Sequence, residues 1–577
     1  MSTTLSPRTT TLLLIFVVLG LYYPLLFAPL CSLDDPGMYT QLLNSDTFTL
    51  HGLLVPGASG TYYRPLLMVS FLGDRFIWGL EASFMHLENI LFHLANCLML
   101  YALARRAGRL VRITSPWPPF LAALFFAVDP LVTESVNWIS GRTDLLACFF
   151  LLLSVYLVLR PRTNHAYTFL AALSMLVACL AKDTAVFLLP ALLIMPWYLP
   201  QPQGNTRTTF RQTIAASLPQ LALFTAAGAG YFAFRALAFS HGDLGAQQVL
   251  THVVGGQRDG LLLTLHLVLK AAGFYVKKLF WPLPLNFAIV HVAESYIMVG
   301  ILLVACLVWL LFRRTLTAFF FLAAASIGSS ALLVPLLKIT WTPLAERYMY
   351  IPLAFFLVGI CLCAAQFTWV AQHRRLISLL TVVLLVVGLW FTAQRNLIWQ
   401  DNLALFQDTV QKSPDFVPAQ NQLALALYEK GRIQEANALL LRMNTTSSLI
   451  NFQYGLISKA AALENQKDYT GAHRFLLQAL ADPGKHEVQI LQRLITFNDR
   501  AVLQGRAKPQ EVDDEQMRFL QRLQKLTGDP FCSYQIGRIQ VRQGNRAAAK
   551  DSFTKAWQGS PPSAFYHEAA KKLAERL

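Results

Sequence analysis

Apolar runs long enough to cross a lipid bilayer recur through the first 395 of the 577 residues, and no other feature limits the possible folds as strongly. The first, 12–30, is nineteen residues without a charged side chain; a hydrocarbon core of about 30 Å asks for about 20 such residues in a helix. Further runs lie near 86–104, 117–134, 144–159, 166–181, 184–199, 213–237, 295–312, 315–337, 349–367 and 376–393. Backbone N–H and C=O groups find no water in lipid, so runs of this kind must be helical. The expectation is an all-α, polytopic membrane protein with about 11 transmembrane helices. Residues 259–281 are also apolar. Counting them as a span would put Arg313 and Arg314 outside and Lys277 and Lys278 inside, so they are expected to lie on, or dip into, the outer face.

Only 14% of the residues are charged, against about 25% in soluble chains. With a mean hydropathy of +0.44, this excludes a purely soluble enzyme, a disordered chain and a disulfide scaffold. The net charge of +16 does not indicate nucleic acid as a partner. Much of it sits in short clusters between apolar runs, such as Arg105, Arg106, Arg109 and Arg112, or Arg374 and Arg375, where cytoplasmic loops belong. The run at 12–30 is kept as a helix with its N-terminus inside, since Phe27-Ala28-Pro29-Leu30-Cys31 is a poor cleavage site. All 14 acids of residues 1–395 then fall in, or at the membrane edge of, outer segments. That one-sidedness points to an outward working face. Six of the eight cysteines lie in apolar runs, with no metal-ligand spacing.

Residues 396–577 are different, with 23 Lys and Arg and 18 Asp and Glu. Leu423, Ala424, Gly431, Ala436 and Leu440 recur as Ile536, Gly537, Gly544, Ala549 and Phe553, and a weaker copy runs through Ala460, Tyr469, Ala472, Leu476 and Ala479. Small residues belong where two helices cross closely, and glycine where the first helix of a pair ends. This resembles the tetratricopeptide repeat, a solenoid that offers a groove to peptides. The region 447–531 is degenerate, with room for two helix pairs. The expected domains are therefore 1–395 in the membrane, with outer loops at about 31–85 and 239–294, and 396–577 as an extracytoplasmic repeat solenoid.

Chemistry belongs in the outer segments. The first loop opens Leu33-Asp34-Asp35-Pro36-Gly37. Two adjacent carboxylates resist ionising together, which suits a general base; the same tetrapeptide is also good turn chemistry. The pair offers oxygen ligands for Mg2+ or Mn2+. Tyr62-Tyr63-Arg64-Pro65 follows, then His86, Asn89 and His93, which helical spacing puts on one face. Asp129-Pro130 through Glu134, Gly141-Arg142-Thr143-Asp144, Ala181-Lys182-Asp183, Glu346-Arg347-Tyr348 and Arg395-Asn396 complete the series. Each base in it also admits a structural reading as an ion pair with a nearby acid: Arg142 with Asp144 or Glu134, and Arg347 with Glu346.

In this order the motifs resemble those of the membrane O-mannosyltransferases that carry transmembrane helices followed by tetratricopeptide repeats. These are glycosyltransferases of the GT-C class, with protein O-mannosyltransferases as relatives. Asp129-Pro130 stands where His-Pro is common in the family. The resemblance implies an inverting glycosyltransferase that moves a sugar, mannose above all, from a polyprenyl-phosphate donor to a hydroxyl of a protein or other extracytoplasmic acceptor. It implies Asp34 as the base, with Asp35 next to it, and no requirement for a metal or other cofactor. Arg64 and Arg347, then Arg142 and Lys182, would meet the donor phosphate, with His86, His93 and Glu134 as further donor contacts. The polyprenyl chain would lie against Phe274, Tyr275, Lys277, Lys278, Phe280 and Trp281. The repeats would recruit a protein or peptide acceptor. The compact loops favour a bacterial inner membrane, with site and repeats facing the periplasm. Two other readings compete: an oligosaccharyltransferase or ligase using a pyrophosphate-linked glycan, and a non-catalytic membrane scaffold.

Overall fold

The computed structural model describes residues 6–33, 35–44, 52, 54, 62–160, 165–200, 210–239, 258–337, 342, 344–442, 452–481 and 487–577. Among them the elements are helices, and a single antiparallel bridge joins Ile289 to Leu344. The chain forms two compact units, Met1–Ser413 and Pro414–Leu577. The helix Asn402–Lys412 therefore belongs to the first unit, although the charge-rich composition begins before it.

Among the described residues of the first unit, eight helices are long and apolar enough to cross a membrane, or nine if one bent pair is a single span. Two shorter apolar stretches, His165–Ala181 and Asp183–Trp197, join them. The first helix, Pro7–Tyr22, starts where the Ser6 hydroxyl caps the Thr9 N–H at 3.1 Å and proline fixes the first turn. Thr10, Leu14, Val18 and Tyr22, four residues apart, form its buried stripe, while Leu12 and Phe16 are exposed. The helix Ala82–Leu110 buries polar side chains instead: His86, Asn89, His93 and Asn96 all face inward. A lipid-facing helix could not hide that stripe except against partners able to hydrogen-bond it.

The bent pair, Trp117–Val128 and Pro130–Asn137, turns by 50° at Asp129-Pro130. Proline removes one ladder N–H, and the carbonyls freed by the break must find other donors. Thr392 supplies one, its hydroxyl bonding the Val128 carbonyl at 2.8 Å, and the Asp129 carboxylate caps the Leu131 N–H at 2.9 Å. Arg258–Phe280 packs antiparallel on Tyr296–Arg313. A Cβ on Gly273 would strike the Tyr296 carbonyl and one on Gly300 the Leu269 carbonyl, so only glycine allows backbones this close. Arg374–Trp399 is mostly exposed along Leu379, Val383 and Trp390. It is buried near its C-terminal end, at Thr392, Arg395, Asn396 and Trp399.

The polar connections gather at one end of this bundle. Asn137 bonds Asn396 at 2.9 Å, Asn396 bonds the Leu21 carbonyl at 2.9 Å, and Asn402 bonds the Leu30 carbonyl at 3.0 Å. Segment 282–285 contains two prolines, and its carbonyls are served by lysines: Lys277 and Lys278 from one side, Lys412 from the other.

The second unit is a succession of helix hairpins: Val417–Glu429 with Ile433–Arg442, Phe452–Asn465 with Tyr469–Ala481, Glu487–Leu503 with Pro509–Thr527, and Pro530–Arg542 with Arg546–Gly559. Each turn carries a left-handed residue, Gly431, Lys467, Gly505 or Gly544. The degenerate region thus holds two hairpins. Gly537 packs under Phe553, whose ring a Cβ would meet at 2.8 Å. Leu423, Ala436, Ala472, Leu476, Ala549 and Phe553 are all buried, as their recurrence requires.

Candidate active site

Asp35 begins the helix Asp35–Asn44 and is fully buried. One carboxylate oxygen accepts the Cys31 N–H at 2.9 Å; the other accepts the Ser140 hydroxyl at 2.6 Å and the Ser140 N–H at 3.3 Å. It thereby ties the exit of the first helix to the tight turn Ile139–Gly141. Asn89 holds the same turn, its amide reaching the Val136 and Trp138 carbonyls at 3.3 and 3.0 Å. Asp34 lies outside the described residues.

Beside this turn, basic residues from three separate segments converge. Arg347 donates to Glu134 through both its side chain and its backbone N–H, the latter at 3.0 Å. Its guanidinium lies over Trp138 at 5.2 Å and Tyr348 at 4.9 Å. Lys182 pairs with Asp144 and lies 5.8 Å from the Tyr348 ring centre. Arg64 bonds Asp183 at 3.2 Å and stacks over Tyr62 at 4.4 Å. Arg64, Lys182 and Arg347 are near enough for the charges of the two arginines to act on Lys182. Tyr62, 46% exposed, lies in the same field.

Asp183 is the hub of this cluster. Besides Arg64 it accepts Arg235 at 2.6 Å, the Tyr231 hydroxyl at 3.0 Å and the Tyr63 N–H at 3.1 Å. Asp183 thus serves two of the four cations, Arg64 and Arg235, while Lys182 holds Asp144 and Arg347 holds Glu134. The Arg64 side chain keeps 27% of its surface open. Such a cluster is suited to an anion, and arginine offers the planar fork that phosphate oxygens fit.

The remaining predicted residues are placed differently. Arg142 is fully enclosed: it bonds Asp74 at 2.7 Å, Glu88 at 3.1 Å, Asn89 at 2.9 Å and the Met85 carbonyl at 3.0 Å, with Phe71 stacked at 4.8 Å. Its expected partners Asp144 and Glu134 are taken by Lys182 and Arg347. Nor does Arg347 pair with Glu346, which binds Lys278 at 2.7 Å and the Asn286 N–H at 2.9 Å. His93 sits in the core, bonding the Tyr350 hydroxyl at 2.8 Å with Tyr22 edge-on at 5.2 Å. His86 is buried, and neither ring nitrogen has a hydrogen-bond partner among the described residues. The face expected to receive a polyprenyl chain is largely turned inward: Phe274, Tyr275 and Lys278 are buried, leaving Phe280 and Trp281 exposed. Among the described residues, no three of His, Cys, Asp and Glu gather as metal ligands.

Sequence reasoning did not single out Arg235, Tyr231 or Ser140, and it quoted Tyr348 within Glu346-Arg347-Tyr348 without giving it a role. Tyr231 and Arg235 stand four apart near the end of the apolar helix Phe210–Ala238, a spacing that puts them on one face. A lone arginine there was a usable signal.

No family model matches the chain. Over 101 residues it is 36% identical to the mouse "Protein O-mannosyl-transferase TMTC1", a stretch that is 18% of this chain and 10% of that protein. The chain resembles the protein O-mannosyl-transferases. A second mouse relative, "Protein O-mannosyl-transferase TMTC2", is 33% identical over 159 residues, 26% of this chain and 18% of the relative. "Protein O-mannosyl-transferase Tmtc1" of Drosophila melanogaster is 30% identical over 135 residues, 23% and 15% respectively. The matched stretches thus span a tenth to a fifth of these relatives' lengths.

Proposed function

We propose that this protein is a multi-pass glycosyltransferase of GT-C type. In this reading it moves mannose from a polyprenyl-phosphate carrier to a hydroxyl of a protein acceptor, with inversion. The long apolar helices together with the two shorter ones read as about 11 spans, in a bacterial inner membrane with the polar end facing the periplasm. The observation that carries the reading is the convergence of three cations from separate segments, Arg64, Lys182 and Arg347, around Tyr62, Trp138 and Tyr348. The named relatives give the reaction class.

Asp34 takes the proton from the acceptor hydroxyl. The acceptor oxygen attacks the anomeric carbon from the face opposite the phosphate, the bond from that carbon to the phosphate oxygen breaks, and polyprenyl phosphate leaves. Asp35, with both oxygens engaged, positions the segment that carries Asp34. Arg64, Arg347 and Lys182 meet the charge that develops on the leaving phosphate, where fixed donors act most strongly. Glu134 orients Arg347, and His86 offers its ring nitrogens to the sugar. Arg142 and His93 brace the walls behind. With cations on hand for the leaving group, no metal is required. The hairpins of the second unit act as tetratricopeptide repeats and hold the acceptor.

The test is transfer from labelled polyprenyl-phosphate mannose to periplasmic proteins and peptides in membranes, with EDTA present. Wild type should transfer; Asp34→Asn should lose activity while remaining folded. Equal transfer by wild type, Asp34→Asn and Asp35→Asn would sink the site assignment. Failure with every polyprenyl-linked sugar would favour a scaffold.

A further inference from the structure

Asn96 lies two helical turns beyond Asn89 and is fully buried at the middle of the spanning helix Ala82–Leu110. Its amide nitrogen bonds the Leu145 carbonyl at 2.9 Å and the Tyr350 hydroxyl at 3.1 Å. A carbonyl can only accept, so the Leu145 contact fixes which end of the amide is the NH2 group, and that group has a proton for each partner. The Tyr350 oxygen accepts one of them and keeps its own proton for Nδ1 of His93, at 2.8 Å. His93 is then the Nε2–H tautomer, with Nε2 3.7 Å from the Cys97 sulfur. Oδ1 of Asn96 has no hydrogen-bond partner among the described residues. A buried amide oxygen without a partner is costly away from water, so what this helix gains from asparagine is the NH2 group.

Both partners of that group adjoin the cation cluster. Tyr350 follows directly on the turn Glu346–Met349, which carries Arg347 and Tyr348. Leu145 follows Asp144, the carboxylate that holds Lys182. One side-chain amide thus joins the segment bearing Arg347 to the segment that seats Lys182. Aromatic rings pack around the joint: Phe126 lies 5.1 Å from Tyr350 and 5.5 Å from His93.

We infer that Asn96 is a positioning residue that sets the spacing between Arg347 and Lys182. The inference rests on reading those two cations as part of the phosphate site of a transferase. An apolar side chain could fill the same space, but it would leave the turn at Arg347 free to shift against Asp144. A displacement of about 1 Å near reacting groups can cost about 100-fold in rate.

The experiment compares wild type with Asn96→Leu and Tyr350→Phe, each as the full chain in mild detergent, by hydrogen exchange and by transfer from polyprenyl-phosphate mannose. Tyr350→Phe removes only the hydroxyl and keeps the ring, so it serves if Asn96→Leu does not fold. Exchange of the backbone N–H groups in Glu346–Met349 should quicken about tenfold in both variants, the effect of one lost hydrogen bond, while peptides elsewhere in the first unit stay within about twofold. The kcat per folded molecule should fall about 100-fold with donor KM changed less than about threefold, and the double variant should be no slower than the slower single one. A role in stability alone predicts quicker exchange throughout the unit and additive losses. Unchanged exchange in Glu346–Met349, acceleration spread over the whole unit, or transfer by both variants within about threefold of wild type would overturn the inference. Wild type inert with every polyprenyl-linked sugar would refute the transferase reading alone, and the exchange result would then decide whether Asn96 couples the two segments.

Discussion

Replacing Arg142 with methionine separates two readings of this residue, ligand of the donor phosphate or internal brace. Its side chain and that of Asp74 are both fully buried and bond at 2.7 Å, and Glu88 approaches the same guanidinium at 3.1 Å. Removing one member of a buried pair costs about 3–5 kcal/mol, because the other charge is stranded. Here Asp74 and Glu88 can share a proton once the arginine is gone, which points to the lower end, about 3 kcal/mol. Arg142→Met with Asp74→Leu strands no charge at Asp74 and should regain at least about 1–2 kcal/mol, since an apolar replacement of a buried pair is often nearly neutral. Equilibrium unfolding in mixed micelles, followed by helical circular dichroism, measures both. Sugar transfer by the folded fraction should stay within about threefold of wild type, since this brace makes no transition-state contact. If Arg142→Met unfolds like wild type yet no longer binds donor, the brace is refuted and Arg142 is a ligand.

Three further outcomes follow from the same geometry. Burial, with Glu88 alongside, raises the Asp74 carboxyl to about 7. The folded chain then holds a proton that the unfolded chain has released, so this group's contribution to stability declines as pH rises from about 4 to about 7 and is flat above; Glu88→Gln should make unfolding midpoints less pH-dependent across that window. Arg347→Ala should lower kcat about 100-fold in the transfer assay with donor KM changed less, the pattern of a contact made mainly in the transition state. Gly273→Leu collides with the Tyr296 carbonyl and should cost about 3 kcal/mol or more, seen as loss of the monodisperse peak in size-exclusion chromatography.

The apolar runs were legible because lipid leaves a chain few choices, and each helix long and apolar enough to span coincides with one, whereas Asp35–Asn44, Pro65–Trp78 and Asn402–Lys412 do not. The shared face of His86, Asn89 and His93 was also legible from spacing, and all three are buried together. Partners were not. Arg142 has acids two and eight residues away, yet it bonds Asp74 and Glu88, brought to it by other helices. Glu346 bypasses the adjacent Arg347 for Lys278. Sequence proximity is a poor guide when helical direction turns neighbouring side chains apart. The bend at Asp129-Pro130 was visible as a proline, but the Thr392 hydroxyl that satisfies its carbonyl comes from a helix far along the chain. Tyr231 and Arg235 were overlooked because an apolar helix invites reading as membrane filler.

The double hold on Asp183 has a consequence for turnover. If Arg64 swings to an arriving phosphate, Arg235, Tyr231 and the Tyr63 N–H remain on the carboxylate. The departure of Arg64 would therefore uncover no bare anion, and capture of the proposed donor would avoid a desolvation penalty that a simple pair imposes. In the proposed reaction, the same carboxylate would draw Arg64 back once the lipid carrier had left. Asp183 would act as a return spring made of charge, resetting the mouth of the site between cycles without any movement of the helices.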